Sequence, residues 1–252
     1  MTTGHINVSC ITVKPQYDSR AAITLPLGHE RKGGELVTMA CRTVIATVLM
    51  LLTAAPAHAQ SPPTPGIKIN DETSFCTSAF TAEGDDGSYY LMTSGHCDAH
   101  DGSVWTYGAD DTPLGRLVKG EYEETPEGSQ TKDAALIKLE PSVGAPSGDI
   151  AGKYPVRDAL SVSQIKVGTQ MCKVGAVTGE TCGPITNIEG TSVVEADLRC
   201  LGGDSGSPGF VKNPDGTASA IGILTSALDD DHTTYFIIVA PLLTKWGLRL
   251  LP

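Results

Sequence analysis

Gly202-Gly203-Asp204-Ser205-Gly206-Ser207-Pro208 crowds three glycines around Ser205. Glycine tolerates dihedrals and close approaches that other residues resist, so such a loop can expose a serine Oγ. It can also aim backbone N–H groups at a negative charge developing on a substrate oxygen. Alone, a Gly-Asp-Ser-Gly stretch is often only a tight turn. Two other stretches upstream change its weight. Thr93-Ser94-Gly95-His96-Cys97 places a histidine just after an apolar run, and Asp133 opens the apolar stretch Asp133-Ala134-Ala135-Leu136-Ile137-Lys138-Leu139. A histidine beside a cysteine is usually just packed, and an aspartate before a strand is usually a turn residue. In the order His, Asp, Ser, with all three contexts present, the set fits a nucleophile, its base and the carboxylate that orients the base.

The rest of the chain supplies a matching scaffold. Short apolar or alternating runs recur at 74–82, 89–93, 104–107, 114–118, 134–139, 164–174, 184–189, 193–198, 209–212, 218–226 and 233–239, separated by Gly, Asp and Pro. These lengths and punctuation predict an all-β sandwich or barrel set. Only residues 240–250, with Pro241 in the first turn and Leu242, Leu243, Trp246 and Leu250 in apolar spacing, predict a helix. Residues 141–152, rich in Pro, Gly and Ser, are the expected link between two halves, a first at about 66–140 and a second at about 153–239. Ser61-Pro62-Pro63-Thr64-Pro65-Gly66 is expected to be an extended lead-in that does not pack.

Charge narrows the partners. The chain has 18 Lys and Arg against 29 Asp and Glu, a net charge of −11. Residues 1–59 hold 5 basic and 3 acidic residues, so 60–252 carry 13 against 26, a net of −13. A surface this acidic repels phosphate backbones and argues against a nucleic-acid partner.

The N-terminus bears on compartment. Met39-Ala40-Cys41-Arg42, an apolar run from Val44 to Ala55, and Pro56-Ala57-His58-Ala59 together read as a secretory leader cut after Ala59. The run is short for a bilayer span, so no membrane span is expected in the mature form. Residues 1–38 sit awkwardly ahead of such a leader and are expected to be a spurious extension, with Met39 the true start. The product would be secreted, or held at the cell envelope, as a monomer. Cleavage would leave five cysteines, Cys76, Cys97, Cys172, Cys182 and Cys200, so at least one thiol lacks a partner.

The same stretches carry a resemblance. The segment 93–97 is similar to the Thr-Ala-Gly-His-Cys of the chymotrypsin-like serine proteases, and 203–208 to their Gly-Asp-Ser-Gly-Gly-Pro. Met171-Cys172-Lys173, then Thr178-Gly179-Glu180-Thr181-Cys182-Gly183, and the strand Ile223-Leu224-Thr225-Ser226 resemble the bacterial α-lytic-type branch. The likeness runs from about Ile67 to Leu250. It implies two six-stranded antiparallel β-barrels, with His96 and Asp133 on the first and Ser205 on the second. It further implies an oxyanion hole at Gly203 and Ser205, a hydrogen bond from Ser226 to Asp133, and disulfides Cys76–Cys97 and Cys172–Cys182, with no cofactor. The expected activity is peptide-bond hydrolysis through an acyl-enzyme.

Departures from the pattern matter as much. Where the branch has an arginine, this chain has Lys173, expected to pair with Asp204 inside the second barrel. Cys200 has lost its family partner and is expected to be a buried free thiol. Ala227 and Leu228 replace glycine-rich pocket-wall positions, and Arg199 adds a charge near the pocket base, which points to small P1 side chains. A protein that keeps this fold but only binds a peptide or surface partner is the competing reading. The cysteines could also be read as metal ligands, but they sit in strand contexts, so no metal is expected. An esterase of the α/β-hydrolase kind wants Gly-x-Ser-x-Gly in the order Ser, Asp, His, which this chain lacks.

Overall fold

The computed structural model describes residues 6–7, 12–13, 61–98, 102–123, 132–228 and 232–252. The expected leader and its cut after Ala59, and the loops at His100 and Asp229-Asp230-Asp231, lie outside these residues, as does most of the stretch 1–38.

Strands appear in chain order as β1 (Ile6–Asn7), β2 (Thr12–Val13), β3 (Lys68–Asn70), β4 (Ser74–Thr77), β5 (Thr81–Gly84), β6 (Tyr89–Thr93), β7 (Trp105–Tyr107), β8 (Thr112–Tyr122) and β9 (Asp133–Leu139). The second half adds β10 (Val156–Ala159), β11 (Gln170–Gly175), β12 (Gly179–Glu189), β13 (Val193–Asp197), β14 (Pro208–Lys212), β15 (Ala218–Leu228) and β16 (Thr233–Ile238). A helix, α1 (Val239–Trp246), and a last strand, β17 (Leu248–Leu250), close the chain. The class is all-β, as the sequence predicts.

In the second half, β15, β14, β11, β12, β13 and β16 pair in that order, all antiparallel, and β16 returns to β15 to close a six-stranded barrel. The first half is an antiparallel sheet in the order β17-β5-β6-β9-β8-β7-β3-β4-β2. Strands β9 and β15 sit centrally in the two halves, and their sequences show why. Asp133–Leu139 is buried at every position but Lys138, and Ala218–Leu228 at every position but its last. Such unbroken apolar runs need cover on both faces rather than water on one. One hydrophobic cluster draws on both halves, joining Phe80, Met92 and Leu136 to Phe210, Ile223, Ile237 and Trp246. Full burial of each such side chain is worth about 1.5–3 kcal/mol, so this cluster is a main tie between the halves.

Three expectations shift. Helix α1 stops at Trp246 rather than reaching Leu250, because Gly247 takes a left-handed conformation (φ 67°) and returns its N–H to the carbonyls of Leu243 and Thr244. The alternation Leu248-Arg249-Leu250 then suits a strand, and β17 pairs with β5 of the first sheet. The run at 164–174 starts as a 3₁₀ turn (Val162–Gln164), and β11 begins only at Gln170. The proline lead-in does pack. Pro63 and Pro65 are buried, and their carbonyls accept the N–H groups of Ser147 (3.0 Å) and Ala151 (2.9 Å). Extended proline backbone leaves its carbonyls free, and the 141–152 link supplies donors to match them. Among the described residues no helix is long and apolar enough to cross a membrane.

Candidate active site

Strand β6 delivers the chain into a 3₁₀ turn, Gly95–Cys97, with His96 at its centre. Two ties hold this turn. The disulfide Cys76–Cys97 joins it to β4, and the Ser94 hydroxyl donates to the Leu224 carbonyl on β15. Asp133, fully buried at the start of β9, receives three donors. The His96 backbone N–H reaches Oδ1 at 2.8 Å, the His96 ring places Nδ1 2.7 Å from Oδ2, and the Thr225 hydroxyl donates to Oδ2. A carboxylate so placed fixes which imidazole nitrogen carries the proton and leaves Nε2 to act elsewhere. Nε2 is buried and has no hydrogen-bond partner, so no bond joins it to Ser205 in this structure. The Tyr122 ring lies 6.2 Å from the His96 ring, tilted by 60°.

Thr225 corrects the expectation for Ser226. The Ser226 hydroxyl is buried without a partner and does not reach Asp133. The cause is a bulge: Leu224 opposes Phe236 and Ser226 opposes Tyr235, which leaves Thr225 as the extra residue and shifts which side chain faces the first half. Thr225→Val should therefore slow reaction at Ser205 about ten- to hundredfold, the worth of a hydrogen bond to a charged group. Ser226→Ala should change it less than about twofold. Comparing labelling rates of the two variants with a serine-directed fluorophosphonate checks the assignment.

Ser205 sits where the chain must turn too tightly for side chains. Gly203 has φ 94° and Gly206 φ 85°, and a Cβ at Gly206 would lie 2.2 Å from the Thr77 carbonyl. The loop is anchored to the first half by Thr77, whose N–H donates to the Ser205 carbonyl (2.7 Å) and whose hydroxyl donates to that of Gly203 (2.8 Å). Behind it lies Asp204, fully buried and 3.2 Å from the equally buried Lys173 ammonium. Asp204 also accepts from the N–H groups of Val177 (2.9 Å), Thr178 (3.1 Å) and Leu201 (3.0 Å) and from the Thr178 hydroxyl (2.6 Å). Burial alone would raise the Asp204 pKa, but the Lys173 charge and the bonds from Thr178 and Val177 outweigh it and hold the carboxyl below its ordinary value. Thr178, which also accepts from Lys173, was not singled out in the sequence.

The remaining expected residues divide. Cys172–Cys182 is bonded, pairing β11 with β12, and Cys200 is buried outside any disulfide, accepting from the Thr234 hydroxyl (3.5 Å). Among the described residues two clusters, Cys76-His96-Cys97 and Cys172-Glu180-Cys182, would suit a metal by composition, but their cysteines are spent in disulfides. Ala227 is buried and Leu228 half-buried at the end of β15. Arg199 is exposed, with its carbonyl accepting the Thr181 hydroxyl (2.7 Å), which does not suit a place at the floor of a closed pocket. Opening Cys172–Cys182 by replacing both residues with serine should cost about 3 kcal/mol in the chain-entropy picture, read as a lowered denaturation midpoint.

This architecture is the chymotrypsin-like fold of the bacterial serine proteases. The chain is similar to Thermobifida fusca protease A (TM-score 0.60, 20% identity, 75% of this chain and 97% of that one). It is similar to a glutamic acid specific serine protease (TM-score 0.61, 20% identity, 75% of this chain and 100% of that one). An alpha-lytic protease homolog matches at TM-score 0.57 and 23% identity, over 74% of this chain and 97% of that one. In sequence, the chain is 28% identical over 200 residues to uncharacterized proteins of two Mycobacterium tuberculosis strains, covering 76% of this chain and 87% of each relative. No protein-family model matches.

Proposed function

We propose that this chain is a secreted serine endopeptidase that cleaves peptide bonds through Ser205, His96 and Asp133. The observation that carries the proposal is the buried His96–Asp133 pair at 2.7 Å, set on one half of the fold opposite the glycine-framed Ser205 loop of the other. Ser205 Oγ attacks the substrate carbonyl, and His96 Nε2 takes the proton and returns it to the leaving amine. Asp133, steadied by Thr225, stabilises the imidazolium. The Gly203 and Ser205 N–H groups receive the oxyanion, and losing one such donor would cost on the order of 10²–10³ in turnover. The Lys173–Asp204 pair holds the oxyanion loop in place without a freed N-terminal amine. No cofactor takes part, and the partner is a protein or peptide. Because Thr225 stands in for Ser226, the substrate wall runs through Ser226, Ala227 and Leu228, which favours small P1 side chains. Export through the leader at 39–59 places the enzyme outside the cell, as a monomer.

The unpaired Nε2 of His96 favours a second reading, a peptide-binding protein without turnover. In resting serine hydrolases this hydrogen bond is often loose and tightens with substrate, so the open bond does not decide the matter. A fluorophosphonate probe does. Stoichiometric labelling of the chain and none of Ser205→Ala supports the peptidase, and no labelling of a folded sample supports the binding protein.

A further inference from the structure

We propose that a cleft on the first half of the fold holds an arginine or lysine side chain of the substrate, on the leaving side of the bond cut at Ser205. The proposal rests on the peptidase reading for its substrate, while the cleft binds without turnover. Its volume is about 880 Å³, within the range of ligand sites. Two kinds of wall line it. Pro62, Ile67 and Tyr107 offer apolar surface, and Asn70, Asp110 and Asp111 form a polar side. Both aspartates are exposed, whereas Asn70 is only 6% exposed. The Asn70 Nδ2 donates to Asp111 Oδ1 (3.3 Å), and the Thr106 hydroxyl donates to the same oxygen (3.4 Å). That leaves Asn70 Oδ1 buried without a partner. A buried acceptor that lacks a donor is costly, and the carboxylates beside it favour a donor that carries positive charge. An arginine or lysine meets both demands, with N–H groups for the polar side and methylenes for the apolar one. A bare metal ion would leave the apolar wall and most of the volume unused.

The cleft's place ties it to Ser205. Strand β3 contributes Lys68 and Asn70 to the cleft and pairs antiparallel with β4, Lys68 opposite Thr77 and Asn70 opposite Phe75. Thr77 donates its N–H to the Ser205 carbonyl (2.7 Å), and a side chain on Gly203 would strike the Phe75 ring. The cleft thus opens one strand, about 4.8 Å, beyond the strand that braces the nucleophile loop. Ala227 and Leu228, the proposed wall for the acyl side, end β15 in the other half, so a chain crossing Ser205 from them runs towards Phe75. Two strand spacings and a side-chain length make about 15 Å. At about 3.3 Å per extended residue, the basic residue falls about four or five places after the cut. Lys68 does not oppose it, because its ammonium sits over the Phe75 ring, 4.1 Å from the centroid. The aspartates therefore set the sign of the cleft.

The binding test uses the full chain as Ser205→Ala, so that nothing depends on turnover. The probe is a fluorescein-labelled alanine heptapeptide with one central arginine, set against the same peptide with citrulline, which keeps the shape and loses the charge. Fluorescence anisotropy should show the arginine peptide binding about tenfold tighter, the worth of one charge-assisted hydrogen bond. Asp110→Asn with Asp111→Asn should erase that difference. Asp85→Asn with Asp86→Asn removes as much charge from another exposed turn and should leave it intact. Equal binding of the two peptides, or a difference that closes alike in both double variants, overturns the site. Cleavage by the active chain then tests its use. Products from a mixed peptide pool should be enriched in arginine and lysine about four or five residues after the cut, and Asp110→Asn with Asp111→Asn should remove the enrichment. Cleavage without enrichment overturns the proposal and leaves the peptidase standing. Arginine-dependent binding with no cleavage upholds a site for basic side chains and sinks the peptidase reading instead.

Discussion

Ser205→Ala, His96→Ala and the double variant should lose nearly the same activity, on the order of 10⁶-fold in kcat. The losses coincide because the two groups perform one act: without the base the hydroxyl stays protonated, and without the hydroxyl the base has no proton to take. The fold should survive each change. In His96→Ala, Asp133 keeps the backbone N–H of residue 96 at 2.8 Å and the Thr225 hydroxyl, so its buried charge is not left bare. Hydrolysis of a mixed peptide pool, with circular dichroism as the check on folding, measures the three variants. Losses that multiply in the double variant, or a His96→Ala loss under about tenfold, would show that His96 does not serve as the base of Ser205.

The residues proposed as nucleophile, base and orienting carboxylate stand out in the sequence because each sits in a local context with few uses. Three glycines around one serine, a histidine after a strand and an aspartate opening a buried strand are chemical statements that need no tertiary knowledge. Lys173 was legible only through the resemblance, as the residue directly after Cys172 where the bacterial branch has an arginine. What escaped was set by register. Strand β15 is buried at every position but its last, so its sequence does not show which side chain faces Asp133, and the bulge at Thr225 moves the donor by one residue. Thr178 escaped because its partner Asp204 lies 26 residues away in sequence. The C-terminal turn of chain was half legible. Apolar spacing marked α1, but Gly247 reads as its stop only once a left-handed cap is weighed above periodicity.

Lys173→Met should both weaken the fold and reverse part of its response to pH. The ammonium is 3.2 Å from Asp204, with neither side chain exposed to water. Taking one partner from a buried pair leaves the other uncompensated, at a cost of about 3–5 kcal/mol. In the native chain the Asp204 pKa lies below its ordinary value, because the Lys173 charge and the donors from Thr178 and Val177 overcome burial. The unfolded chain then binds more protons than the folded one as pH falls from the ordinary carboxylate value, about 3.9, towards the folded value. This contribution is fully present at neutral pH and is lost on acidification through that window. With Lys173 gone, burial meets only the neutral donors, and the Asp204 pKa moves upward. The variant should gain less stability than the native chain between about pH 3 and pH 6, so its deficit is largest at neutral pH and narrows in acid. Urea denaturation at several pH values reads both effects. The oxyanion loop should loosen with the pair, because Asp204 adjoins Ser205, and fluorophosphonate labelling should slow in step with the lost stability. A Lys173→Met protein within about 1 kcal/mol of the native chain, with a parallel pH profile, would show that the neutral donors alone hold the loop.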